Sequence, residues 1–324
     1  MIVAPSYPSL IFNSGTFHKF ERNSISILIN PNLYTMMKTI KAISVCLCIL
    51  ILPGSMSGQN SEVTTAAMVI ESVIKQTASA PVPNTVDVIK AGDPQTSVTG
   101  IVTTMFATMN VLKKAVAMNC NLIIAHEPLF YNHRDETKQF QDDPVFLEKK
   151  QYIDENKLVI WRFHDYIHRI QPDAINYGMT LKLGWQEYVV NDNSNRYVLP
   201  ETTLDELVKT LKKVFPENAF NVIGNPEMKL TNIAFSAGAP GSAAHYPLLR
   251  DEDVDVVIAG EVQQWETYEY VRDVVIQGRK KAIVFLGHVT SEEPGMEYCA
   301  QWLKGFIKDI PVHFVESGPS YWTW

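Results

Sequence analysis

The chain is poor in the residues that cross-link or anchor a protein. Its 324 residues include four cysteines, and none stands in the CxxC spacing of a structural zinc site. Cys46 and Cys48 fall in a segment with the character of an export signal. Cys120 and Cys299 sit in patterns of buried helix, where a free thiol acts as a small hydrophobe, so they are expected to stay unbridged. Clustered basic residues are also missing: the formal charge is -7, and the one compact run, Arg279 to Lys281, reads as a solvated turn, which argues against nucleic acid as a partner. A glycine-rich phosphate loop is absent. The apolar run from Ala42 to Leu52 has eleven residues, too few to span a bilayer, so no stable membrane span is expected.

That run has the setting of a secretory signal. Lys38 and Lys41 precede it, and Pro53, Gly54 and small residues to Gly58 follow, giving an n-region, an h-region and a cleavage zone. Residues 37–58 are therefore expected to be a signal peptide and residues 1–36 a non-native upstream extension. Cleavage would leave about 265 residues, exported to the periplasm or secreted.

The remainder contains a repeat. KLVIWRFHDYIH, from Lys157 to His168, matches KAIVFLGHVTSE, from Lys281 to Glu292: a lysine, an apolar run of strand character, then ligand-type side chains four apart, His164 with His168 and His288 with Glu292. Upstream, GDPQTSVTGI from Gly92 is matched by GNPEMKLTNI from Gly224, and the buried run ending in Ala125, His126, Glu127 by the one ending in Ala259, Gly260, Glu261. The pattern predicts an α/β fold of two similar halves, residues 59–190 and 191–324, with mixed sheets flanked by helices and strand ends facing a shared cleft. Thr203 and Glu206 have capping-box spacing at the start of a helix, and Pro294 is expected in the first turn of the last helix. The aromatic tail Tyr321, Trp322, Trp324 is expected to be buried or to make a subunit contact.

His126, Glu127, His168, His288 and Glu292 form a mixed nitrogen and oxygen set suited to zinc, manganese, iron or nickel, and five donors exceed what one tetrahedral ion needs. Two divalent metal ions sharing a bridging group are the economical solution, with the site between the halves. Glu261 and Glu266 are possible proton-transfer groups lining the cleft. His133, His245 and His313 have no partner at ligand spacing.

The chain from about Val86 onward resembles the NIF-three-like proteins, a family with dinuclear metal centres and hexameric assembly. GHVTSEEPGMEYCAQWL from Gly287 is similar to the family's glycine, histidine, three residues, glutamate, proline, glycine signature, which implies that His288 and Glu292 are ligands. IIAHEPLFY resembles an apolar strand followed by two histidines and proline, making His126 a ligand and placing Glu127 where a second histidine is usual. FHDYIH resembles a His-x3-Asp motif and places His168 where an aspartate is usual, with Asp165 as runner-up ligand and His164 as a group orienting the ligands. The two departures exchange one histidine for one acid, so reverting both together is expected to preserve metal binding. The resemblance implies a homohexamer. The leading expectation is a metal-dependent hydrolase using a metal-bridging hydroxide on a small phosphoester or nucleotide-like substrate. The alternative is a non-catalytic metal-binding, storage or scaffold protein forming a ring oligomer.

Overall fold

The computed structural model describes residues 63–191 and 193–322. The expected upstream extension and signal peptide lie outside the described residues.

The first half runs α1 (Ala66–Gln76), β1 (Ile89–Ala91), β2 (Ile101–Thr104), α2 (Met109–Ala117), β3 (Leu122–Ala125), α3 (Pro144–Glu155), β4 (Val159–Arg162) and α4 (Ala174–Leu183). Each helix begins at a polar cap: Thr65 accepts from Met68 N, Thr108 from Val111 N, and Asp143 and Asp173 each from two amides. Strands β2, β3 and β4 are buried at every position, as parallel strands covered on both faces must be. Ile124 and Trp161 pack with Val73 of α1 on one face, and Ile123 and Ile160 pack with Leu112 of α2 and Phe146 of α3 on the other.

The second half runs β5 (Val189–Val190), β6 (Asn193–Thr203), α5 (Leu204–Val214), β7 (Asn221–Ile223), β8 (Lys229–Ser236), α6 (Ser242–Arg250), β9 (Val256–Ala259), α7 (Glu269–Ile276), β10 (Ala282–Phe285), α8 (His288–Lys304) and β11 (Val312–Phe314). The sheets are ordered β1-β4-β3-β2-β11 and β5-β6-β8-β9-β10-β7, so the order β1-β4-β3-β2 reappears as β7-β10-β9-β8. In both, three parallel strands end in one antiparallel edge strand.

The duplication extends to single hydrogen bonds. Asp93 and Asn225 each accept from the amide two residues on, at 2.8 and 3.0 Å. The carbonyls of Thr96 and Met228 each receive the first amide of a helix, Ala66 and Leu204, at 3.0 Å. Asn121 and Asp255, at the start of matching strands, accept from Thr99 N and Thr231 N at 2.9 Å. Two mixed sheets flanked by helices, in two similar halves, is thus the observed fold.

The halves are not two uninterrupted runs of chain. β11 crosses back to pair in parallel with β2, while β5 and β6 form a hairpin on the second sheet where a boundary was expected. The last helix also starts earlier than expected: α8 opens at His288, and Pro294 lies inside it. A proline there forgoes one helix bond; it is accommodated at the contact with α4, where an added Cβ on Gly178 would collide with the Pro294 carbonyl and one on Gly295 would lie 2.5 Å from Ile175 Cα. The early start sets His288 and Glu292 one turn apart on the same helix face. In the tail, Tyr321 is 65% exposed and Trp322 78%. Burial of these two side chains is therefore not observed, and Trp324 lies outside the described residues. Cys120 and Cys299 are free and buried.

Candidate metal centre

Strand β3 delivers His126 and Glu127 to the cleft, and Pro128 turns the chain away. Their amides continue the sheet, His126 N donating to Thr104 O at 3.1 Å and Glu127 N to Met105 O at 2.9 Å. His126 is fully buried. Its Nδ1 lies 3.2 Å from the Phe163 carbonyl, which accepts a hydrogen bond from it and directs Nε2 into the cluster. That Nε2 has no hydrogen-bond partner, and Glu292 Oε2 is 3.6 Å away.

The three other histidines of the cluster repeat this orientation. Nδ1 of His164 meets Asp165 Oδ1 at 3.0 Å, that of His168 meets Asp173 Oδ2 at 2.9 Å, and that of His288 meets Glu261 Oε1 at 3.1 Å. Four imidazoles thus have an acceptor on Nδ1, the arrangement that fixes a metal-ligating tautomer and sets Nε2 as the donor atom. Nε2 of His288 lies 3.0 Å from Glu292 Oε2 and 3.5 Å from Glu127 Oε1. The His126 and His164 rings stack with centroids 4.7 Å apart, and His168 stands edge-on to both at 5.3 and 5.5 Å.

Donor atoms converge in two sets, each within 4.8 Å: His126, His164 and His168, and His126, Glu127 and Glu292. His126 belongs to both. His164, expected as an orienting group, stands among the potential donors. Asp165 turns the other way, accepting from Thr85 Oγ1 at 2.8 Å and Val86 N at 3.1 Å, and holds His164 in place. Glu261 does the same for His288 at the mouth of the cleft, with 57% of its side chain exposed. Glu266 is engaged elsewhere, by Ser242 Oγ.

Three supporting residues escaped the sequence reading. Asp87 is buried and accepts from the successive amides of His164, Asp165 and Tyr166 at 2.8, 2.9 and 2.8 Å, clamping the loop after β4. Arg162, also buried, donates from Nε to His126 O at 3.1 Å and from Nη1 to His133 O, and pairs with Glu127. Asp173 both caps α4 and orients His168. The arginine was visible as a charge inside a buried strand, which requires a buried partner; nothing local marks Asp87.

Electrostatics match the geometry. Burial, and then the charge of His126, push His164 down to about 4, so it is neutral at pH 7. Against a burial effect of opposite sign, Glu127, Glu261 and Glu292 hold His288 up to about 12. Glu292 is held well below the usual carboxylate range, against its burial, by His126 and His288. Three carboxylates around one imidazolium are an arrangement that a cation completes. The unpartnered buried Nε2 of His126, within a set of imidazole and carboxylate donors, fits zinc, manganese, iron or nickel. Beside the donors opens a cavity of about 620 Å³ lined by Glu127, Glu261, His288, Phe106, Tyr131 and Lys149, among others.

Comparison with known proteins supports the same fold. The family model described as Duf34/NIF3 (NGG1p interacting factor 3) matches residues 69–319. A Clostridium acetobutylicum protein named "GTP cyclohydrolase 1 type 2 homolog" is 23% identical over 236 residues, covering 69% of this chain and 84% of that protein. Among solved structures, Staphylococcus aureus protein SA1388 superposes with a TM-score of 0.64 at 14% identity, covering 81% of this chain and 99% of that one. A Bacillus cereus protein related to NIF3 gives 0.63 at 14% identity, covering 81% and 100%.

Proposed function

The chain belongs to the Duf34/NIF3 family, and from that premise we propose that it is a metal-dependent hydrolase holding two divalent ions and acting on a small phosphoester or nucleotide-like substrate. The observation that carries this reading is the set of imidazoles whose Nδ1 atoms are each fixed by an acceptor, leaving Nε2 atoms and two carboxylates to converge beside an open cavity. One ion would be held by His126, His164 and His168 and the other by Glu127, Glu292 and His288, with His126 positioned between the two sets. When bound, such ions supply Lewis acidity and lower the pKa of a water they share.

The chain's own groups do the remaining work. Asp165, Asp173 and Glu261 keep the imidazoles oriented, and Arg162 holds Glu127. Glu261, half exposed and hydrogen-bonded to His288, is placed to pass a proton between the centre and solvent. The relative's name, GTP cyclohydrolase 1 type 2 homolog, supports a nucleotide-like substrate. Access to solvent on the His288 side favours turnover over closed storage, because a catalytic site keeps a position open. Assembly into a hexamer and export from the cytoplasm belong to the same proposal; sedimentation and signal-processing assays test them.

The decisive experiment is metal analysis of purified protein followed by a turnover screen of metal-reconstituted protein against phosphoesters, nucleotides and amides. About two equivalents of metal with hydrolysis of one of these classes is expected. Bound metal with no turnover would refute the hydrolase and leave a binding protein.

A further inference from the structure

The lining of the cavity beside the metal donors includes a buried cation. Lys149, on α3, is 5% exposed, and its ammonium donates to the Leu129 carbonyl at 2.8 Å. Among the described residues it forms no ion pair. Asp135, whose charge it feels, is already paired with Lys90 at 3.1 Å. The faces of Phe130 and Tyr131 lie 5.9 and 5.4 Å from Nζ and take up part of the charge. An ammonium has three donors, and one carbonyl uses one of them.

Two further features face the same space. The first turn of α2 opens onto the cavity through Thr108 and Met109, and first-turn amides lack partners within their helix. Phe106 and Tyr131 supply aromatic surface, the Phe106 ring standing edge-on to His288 at 6.0 Å. Lysine, helix start and aromatic rings share the cavity lining with the Glu127 and Glu261 carboxylates and the His288 imidazole, so the pocket holds groups of both signs. A ligand that spans it has an anionic end and a reacting bond.

We propose that Lys149 anchors a phosphate group of the substrate, holding it in the cavity that Glu127 and His288 also line, so that the metal centre meets the substrate at a second position. This rests on the hydrolase reading for the word substrate but not for the binding it predicts. The volume of about 620 Å³ lies within the range of small-molecule sites. A purely structural lysine would tie the Leu129 loop to α3 and bind nothing.

The test is titration of inorganic phosphate into the full chain, both stripped of metal by a chelator and reloaded with zinc, comparing wild type with Lys149→Met and Lys149→Arg. Methionine keeps an unbranched stem and removes the charge; arginine keeps the charge. In both metal states Lys149→Met is expected to weaken phosphate binding about tenfold to hundredfold, as loss of a charge-assisted hydrogen bond does, and Lys149→Arg to bind more tightly than Lys149→Met. Circular dichroism establishes that each variant is folded. As a check requiring no variant, phosphate should slow trinitrophenylation of Lys149 by trinitrobenzenesulfonate in wild-type protein, read by peptide mass mapping. Phosphate affinity that is unchanged by Lys149→Met, or that disappears on metal removal alone with Lys149 labelling unprotected, would overturn the proposal. Phosphate binding at Lys149 without hydrolysis would refute the catalytic reading and leave this one standing.

Discussion

Glu127 Oε2 and Arg162 Nη2 lie 3.3 Å apart with both side chains buried. The position where a histidine is usual in the resembled motif is therefore held by an acid that a buried arginine requires. His168, where an aspartate is usual, is in turn held by Asp173 at 2.9 Å. Each exchanged residue has a local hydrogen-bonding partner.

These partners lead to an expectation different from a freely reversible exchange. Glu127→His would leave Arg162 without its carboxylate, and His168→Asp would set a carboxylate against Asp173. Each single variant is expected to weaken metal binding about tenfold to hundredfold, the range for disturbed ligand support, and the double variant to recover none of it. Metal content by mass spectrometry and competition with a chelator measure this. A double variant that binds as wild type would show that Arg162 and Asp173 do not lock the exchange.

Asp87 acts through three amides at once. In Asp87→Asn the amide nitrogen would face one of the N–H groups of His164, Asp165 and Tyr166, donor against donor. A loss of about 1–3 kcal/mol in urea unfolding is expected, together with weaker metal binding because the His164 loop loosens. Unchanged stability and affinity would remove Asp87 from the architecture of the site.

Acid should unfold the metal-free protein through this cluster. Burial holds His164 down at about 4 against an unfolded value near 6.5, so it resists a proton that the unfolded chain accepts. Glu127 and Glu292 are depressed from 4.5, and Asp165 from 3.8 to about 2. All four contribute stability that is lost as pH falls: His164 from about 6.5, the carboxylates from about 4.5 downward. His288 has the opposite sign, its contribution being complete below 6.5 and lost as pH rises toward about 12. Urea midpoints of metal-free protein should fall between pH 7 and pH 4; a flat profile would contradict the assignments. Because metal displaces the His288 proton, affinity should rise with pH, and calorimetry in buffers of different ionisation enthalpy should detect proton release.

Gly238 has φ of 66°, and an added Cβ would intrude on the Glu292 carboxylate, while its amide donates to Ser291 Oγ at 2.9 Å. Gly238→Ala is expected to displace Glu292 and reduce metal stoichiometry while the chain remains folded. Gly178→Ala would instead drive α4 from α8 and cost about 1–3 kcal/mol of stability, as overpacking does. Equal effects of the two on metal content would mean that Glu292 is positioned by the helix pair alone.

Much of this was legible in one dimension, because duplication leaves the same signal twice. The apolar runs before His126, His164 and His288 announced strands whose ends carry donors, and Thr203 announced its helix. What stayed hidden depends on contacts between distant segments. Asp87 reaches the amide of His164 across 77 positions, and His126 gains its orientation from the Phe163 carbonyl 37 positions on. Pro294 misled for a related reason: its local preference for a first turn yields to the close packing of Gly178 and Gly295, which only the tertiary fold supplies.

The return of β11 to the first sheet bears on synthesis as well as on architecture. Until Val312–Phe314 has left the ribosome, β2 keeps an unpaired edge, and α8, which brings His288 and Glu292, has only just emerged. The nascent chain thus presents His126, His164 and His168 long before His288 and Glu292 join them, so under the proposed function metal loading is expected to wait for the last few dozen residues. Arrested chains ending before residue 288 should retain little metal on the ribosome, and chains extended past residue 322 should retain the full complement.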